Sequence, residues 1–159
     1  KEEFGKKIKF VLDGGKCKIG IESTIINLTK KPEILRLGGL ENSKIKKVLK
    51  KQLTININPF KKNAPGQSKL HYSPGIPLRM NALKSIKGEA FISLKKKNNK
   101  NKDFFYLSKN GNLIEAAKNL YSILRKVKKK GYKSIAIEKI INYGIGQSIN
   151  DRLNRASKF

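Results

Sequence analysis

Four of the chain's five prolines, Pro59, Pro65, Pro74 and Pro77, fall between residues 54 and 78. Proline has no N–H to give to a helix, and its ring collides with the preceding turn. Residues 54–78 therefore predict an extended linker. They divide the 159-residue chain into a first part, 1–53, and a second part, 79–159.

The second part has an α/β pattern. "EAFISL" (89–94) predicts a strand, "KKKNNKNKD" (95–103) a solvated loop, and "FFYLS" (104–108) another strand. A helix is expected over 112–130, with Leu113, Ala117, Leu120, Tyr121 and Leu124 on its inner face and Gly131 as its stop. "SIAIEKI" (134–140) predicts a third strand. "NYGIG" then turns into a last helix that buries Ile149, Leu153 and Ala156. This order predicts a partly parallel sheet covered by helices.

In the first part, residues 7–12 fit a short strand or a helix end, and "DGG" (13–15) is a turn. Residues 19–28 alternate as a strand, with Ile21, Ser23 and Ile25 on one face and Thr24, Ile26 and Leu28 on the other. "TKKPE" is a loop, and "ILRL" (34–37) is the return strand, ended by Gly38-Gly39. A helix follows, capped by Asn42 or Ser43, with Ile45, Val48 and Leu49 buried.

If Leu28 faces Glu33 across the loop, Ile25 faces Arg36. Ser23 then lies diagonal to Arg36, about 7–8 Å away at the backbone and within reach of a long side chain. A guanidinium beside a hydroxyl, flanked by Gly20 and Gly38-Gly39, can clasp a phosphate or carboxylate. The competing reading is an arginine snorkelling at a strand end. A one-residue slip in register would separate the two side chains.

Composition excludes several classes. Cys17 is the only cysteine and His71 the only histidine, so neither an intramolecular disulfide nor a cysteine zinc site is available. No apolar run approaches the roughly 20 residues of a membrane helix. The opening "KEEFGKKIKF" lacks the apolar centre of a signal peptide. A reducing cytoplasm fits best. The formal charge of +26 suits a polyanion such as RNA, but the excess of lysine over arginine also suits the bias of an AT-rich genome. Arginine is scarce, so each one is more informative than a lysine. "YGIGQS" (143–148) has GxG at a helix start, an anion site or simply a helix entry, and lacks the third glycine of a dinucleotide fingerprint.

Three stretches together resemble one family. "DGGKCKIGIESTIINL" followed by "ILRLGGL" looks like the end of the YrdC-type catalytic domain of threonylcarbamoyl-AMP synthases. "APGQSKLHYSPGIPL" resembles the interdomain linker of their two-domain members, and "GIGQSINDRLNRA" a signature of their Rossmann-like second domain. The resemblance implies the C-terminal part of a twisted-sheet YrdC-like α/β domain (1–53), a proline-rich linker (54–78) and a small Rossmann-like α/β domain (79–159). It implies that L-threonine, bicarbonate and ATP, with Mg2+ carried on the nucleotide, give threonylcarbamoyl-AMP and pyrophosphate. Partner proteins then pass the threonylcarbamoyl group to adenosine in tRNA.

By the same resemblance Ser23 contacts threonine, Arg36 and Tyr72 contact ATP, and Gly20, Glu22 and Thr24 shape the pocket. No catalytic side chain and no protein-held metal is implied. The family's Lys-Arg stretch, which grips the triphosphate, and its Ser-Ala-Asn loop do not occur here. The expectation is therefore a portion that is inactive alone, continued upstream in its gene. Gln67, Ser68 and Lys69 also stand where many members carry Met, Lys and Tyr. Two other readings are a basic RNA-binding module on the same fold without catalysis, since YrdC-like domains favour double-stranded RNA, and a carbamoyl-transfer domain of hydrogenase maturation. The linker and "INDRL" argue against the latter.

Overall fold

Two separate sheets carry the chain in a computed structural model that describes residues 5–15, 17–57, 62–68, 71–98 and 101–158. Pro59 and Lys69 lie outside these residues. The first sheet holds β1 (Ile25–Asn27), β2 (Glu33–Arg36) and β3 (Thr54–Ile55) in that order. β1 and β2 are antiparallel, and β2 and β3 parallel. Residues 8–12 form neither strand nor helix. The strand predicted over 19–28 is only three residues long. Gly20 has φ +79°, which breaks the extended path. Ile19 and Ile21 turn instead onto the core of the second sheet.

Helix α1 (Asn42–Leu49) covers the first sheet and joins Ile34, Leu37, Ile45 and Leu53 in a small buried cluster. Two expectations for it are corrected. Val48 is 82% exposed, while Ile45 is buried and Leu49 packs beside it. At roughly 100° per residue Leu49 lies about 40° to one side of Ile45, and Val48 about 60° to the other. The contact stripe runs along Asn42, Ile45 and Leu49, so Val48 falls off its flank. The N-cap is Glu41, without a side-chain cap, and Asn42 is already helical. The Asn42 amide is committed elsewhere, donating to Gln147 Oε1 at 3.1 Å.

The second sheet holds β4 (Leu78–Arg79), β5 (Glu89–Lys95), β6 (Phe104–Ser108) and β7 (Ser134–Ile137), all parallel, in the order β4-β7-β5-β6. The mixed α/β class with a parallel sheet is as expected. The extra strand, β4, is a two-residue edge that a pattern search passes over. It begins just after Pro77, whose carbonyl accepts from Ile135 N–H at 2.9 Å. Proline at a strand entrance loses no ladder donor.

Two helices, α2 (Leu113–Lys129) and α3 (Ile145–Ala156), pack on this sheet. Asn112 caps α2 by accepting from the N–H groups of Ile114 and Glu115. Ala90, Ile92, Leu107, Ile135 and Ile137 from the strands meet Ala117, Leu120, Leu124 and Val127 of α2 and Ile149 and Leu153 of α3. Each large aliphatic side chain buried this way contributes about 1.5–3 kcal/mol. The alternate strand positions, Phe91 and Ala136, join Ala82 and Phe104 in a smaller cluster. Among the described residues no helix is long and apolar enough to cross a membrane.

Besides Ile19 and Ile21, polar and backbone contacts join the two halves. A Cβ on Gly20 would lie 2.6 Å from Lys118 Cα, so only glycine lets this segment rest on α2. Ser148 Oγ donates to Gly38 O at 2.8 Å. Gln67, 4% exposed, donates to the carbonyls of Leu35 and Asn56 and accepts from the N–H groups of Asn63 and Ala64. One side chain thus fastens the connection to β2 and to the end of β3.

Candidate functional site

Ser23 and Arg36 come together. Ile25 faces Arg36 as the hairpin predicts, but by another route. Asn27, not Leu28, stands opposite Glu33, and a bulge between Ile25 and Ile26 restores the register. Leu28 is left 62% exposed beyond the strand end. Arg36 Nη2 donates to Ser23 Oγ at 3.2 Å and Nε to Ser23 O at 3.0 Å. Gly38 completes the corner: a Cβ there would lie 2.2 Å from the backbone of Ser23 and Thr24.

The connection passes directly over this pair. Arg36 Nη1 reaches Pro65 O at 3.5 Å. Gly66, at φ +86°, sits so close that a Cβ would be 2.8 Å from Tyr72 Oη and 3.0 Å from Arg36 Cδ. Tyr72 takes φ +63°, a strained conformation for a bulky residue that only surrounding contacts can hold. Those contacts are a stack on Tyr121 (centroids 5.7 Å, 22° between planes), the edge of His71 (4.0 Å) and the Arg152 guanidinium 5.4 Å above the ring.

Glu22 is shared by Arg152, Tyr121 and Tyr72. Its Oε2 accepts from Arg152 Nε at 3.2 Å and Nη2 at 3.0 Å, and Tyr121 Oη lies 3.3 Å from both carboxylate oxygens. Burial opposes ionisation of Glu22, but a backbone hydrogen bond and the Arg152 charge outweigh it and hold its pKa below the ordinary value. Burial pushes the Tyr72 hydroxyl up, with the Glu22 charge acting in the same direction. Burial raises Tyr121 further, again helped by Glu22. Both phenols therefore stay protonated at neutral pH and can donate.

The network continues along α3. Arg152, 1% exposed, donates through Nη1 to Asp151 Oδ2 at 3.1 Å. Asp151 Oδ1 accepts from Arg155 Nε at 3.1 Å. Arg155 then donates to Ser68 O at 3.0 Å and Ile57 O at 2.7 Å. A cavity of about 420 Å³ opens beside Tyr72, lined by Glu22, His71, Ser73, Pro74, Tyr121 and Arg125 among others.

The remaining predicted residues are placed as follows. Thr24 donates its hydroxyl to Leu40 O at 2.7 Å. Gly20 rests on α2, and Cys17 is exposed. Gly144 and Gly146 of the GxG are a helix entry: a Cβ on Gly146 would lie 2.0 Å from Ile141 O. Among the described residues no three His, Cys, Asp or Glu gather as a metal site. Sequence reasoning missed Tyr121, Asp151, Arg152, Arg155 and Gln67. One signal was available: only five of the 37 basic residues are arginine, and Arg36, Arg152 and Arg155 all meet here.

The family model described as "Threonylcarbamoyl-AMP synthase, C-terminal domain" matches residues 40–158, and one described as "Telomere recombination" matches residues 1–38. A threonylcarbamoyl-AMP synthase of Pyrococcus abyssi is 32% identical over 183 positions, covering 99% of this chain and 52% of that protein. One of Schizosaccharomyces pombe is 26% identical over 187 positions, covering 95% and 45%. Among solved structures, P. abyssi Sua5 complexed with L-threonine superposes with a TM-score of 0.83 at 29% identity, covering 98% of this chain and 51% of that one. A variant of the same protein, with a His and the following Tyr replaced by alanine, gives 0.71 at 26% identity, covering 98% and 48%. The chain spans about half the length of the curated relatives it matches.

Proposed function

For a chain that belongs to the threonylcarbamoyl-AMP synthase family, we propose a part in making threonylcarbamoyl-AMP from L-threonine, bicarbonate and ATP. The observation that carries this reading is the Arg36 guanidinium held against Ser23 beside Pro65, Gly66 and Tyr72. In the reaction the threonine amine bonds to the bicarbonate carbon and water leaves, which gives a carbamate. A carbamate oxygen bonds to the α-phosphorus, and the bond to pyrophosphate breaks. Negative charge builds on the phosphoryl oxygens, and a fixed cation such as Arg36 lowers that barrier. In this reading the Ser23 hydroxyl binds the threonine part.

Tyr72 closes over the nucleotide. A P. abyssi Sua5 structure carries alanine in place of an adjacent His and Tyr, and His71-Tyr72 is the one His-Tyr pair in this sequence. Glu22 and Asp151 are both engaged by arginine, so magnesium arrives on the triphosphate rather than in a carboxylate cage. The larger assignments belong to the same reading. Residues 1–53 end a YrdC-like domain, 54–78 form the linker, and 79–159 form a Rossmann-like domain, working in the cytoplasm with tRNA-modification proteins.

The test uses the full-length gene product. Arg36→Ala lowers threonine-dependent pyrophosphate release by roughly 10²–10³-fold. Unchanged release overturns the reading. The 159-residue chain by itself releases no pyrophosphate, and measurable release from it would contradict that part. The alternative reading, an RNA-binding module on this fold, draws on the +26 charge. It requires RNA affinity that falls steeply with salt and survives Arg36→Ala.

A further inference from the structure

We infer that Asp151, Arg152 and Arg155 of α3 are positioning residues that hold the connection closed over the Ser23–Arg36 site. The inference rests on the reading just proposed, in that it assigns the second sheet's helix a task in the same reaction. Three points of attachment carry it. Arg152 spans two of them: its fork donates twice to Glu22, the residue before Ser23, and its face covers the Tyr72 ring. Arg155 supplies the third, donating to Ile57 O and Ser68 O, which belong to the two flanks of the connection. Asp151 holds both arginines at once, which fixes the angle between them.

This arrangement exceeds what packing of α3 requires. Ile149, Leu153 and Ala156 already seat the helix on its sheet with no exposed surface. The charged residues turn away from that sheet and grip Glu22, ahead of β1, and the connection. A buried guanidinium is stable only while its carboxylate partners stay in place. The cluster therefore favours one arrangement of Glu22, Tyr72 and the intervening chain. Tyr72 sits at a positive φ that it does not adopt unaided, and the guanidinium stacked on its ring resists its return to ordinary backbone angles. Loss of the grip frees Tyr72 to swing away and loosens the backbone next to Ser23. Neither change touches the apolar core.

The experiment uses Arg152→Lys and Asp151→Asn in the full-length gene product, followed by hydrogen–deuterium exchange and steady-state kinetics. Arg152→Lys keeps a charge but loses the planar fork and the stack. Asp151→Asn keeps the shape and serves if the first variant fails to fold. The expected result is exchange about tenfold or more faster across residues 62–75, with β5 and β7 unchanged. KM for ATP rises roughly tenfold to a hundredfold, and kcat falls less. Unchanged exchange over 62–75 overturns the inference, as does faster exchange that leaves KM for ATP at the wild-type value. If the unsubstituted protein makes no threonylcarbamoyl-AMP, the proposed function fails. The exchange result then still decides whether α3 grips the connection.

Discussion

The two sheets are stabilised by different means. The four-stranded sheet buries a continuous apolar layer between strands and helices, in which Ile92, Leu107, Leu120, Ile137, Ile149 and Leu153 have no exposed surface. Among the described residues the three-stranded sheet has a cluster of four buried side chains, and much of its order comes from outside. Ser148 binds Gly38 O, Gln67 binds Leu35 O, and Arg152 binds Glu22. Apolar burial is non-directional and forgives small shifts. Hydrogen bonds and ion pairs fix angles. The half that carries Ser23 and Arg36 is thus the half whose geometry is set by directional contacts, on a scaffold supplied by the other half.

Substitutions sharpen the contrast, beginning with the largest effect. Leu120→Ala opens a cavity in the second core and costs about 2–5 kcal/mol, read as a lower midpoint in urea unfolding. Arg152→Gln leaves Glu22 and Asp151 short of a partner and costs about 3–5 kcal/mol at the upper end, less here because Glu22 is one-third exposed. A loss as large as that of Leu120→Ala, with β5 and β7 opening together, would blur the contrast between the sheets. Gly38→Ala forces a methyl against the Ser23 backbone and costs about 1–3 kcal/mol, and the pyrophosphate release proposed for the full-length gene product falls more steeply than stability. Asn112→Ala removes the α2 cap at a cost of about 1 kcal/mol without touching activity.

Acid supplies a gentler test. Glu22 has a folded pKa below its unfolded value, so its contribution to stability is complete above the ordinary carboxylate range. It is lost as pH falls through the depressed value. Protection over residues 62–68 and 71–75, with exchange corrected for its intrinsic pH dependence, should stay flat from neutral pH down to the ordinary carboxylate range and fall progressively from there to the depressed value. Protection already lost near neutrality would contradict the assignment. The smallest effect belongs to Val48→Lys on the exposed flank of α1, which stays within about 0.5 kcal/mol of wild type by thermal melting.

The second sheet was largely legible because its signals are local. The apolar run of β5, the spacing of α2 and the stop at Gly131 each need only a short window of sequence. Val48 was misplaced because one apolar residue at i+3 does not say which side of a narrow stripe faces inward. β1 was read too long because Ile19 and Ile21 are apolar for a different partner, the second core. Ser23 and Arg36 were legible because a hairpin brings close neighbours together, although the bulge that sets their register left no mark in composition. Asp151, Arg152 and Arg155 stand in a signature stretch whose local sequence assigns them no roles. Nothing near them in sequence says that Glu22 and Tyr72 wait across the fold.

Glu22 and Arg152 stand 130 positions apart. A contact of such sequence separation pays a large loop-closure cost and forms late, after local helices and neighbouring strands are in place. During synthesis, Glu22 leaves the ribosome many seconds before Arg152 exists, at roughly 5–20 residues per second. The nascent chain therefore carries Ser23 and Arg36 well before it can fasten the strap above them, and a finished pocket dates from the emergence of α3.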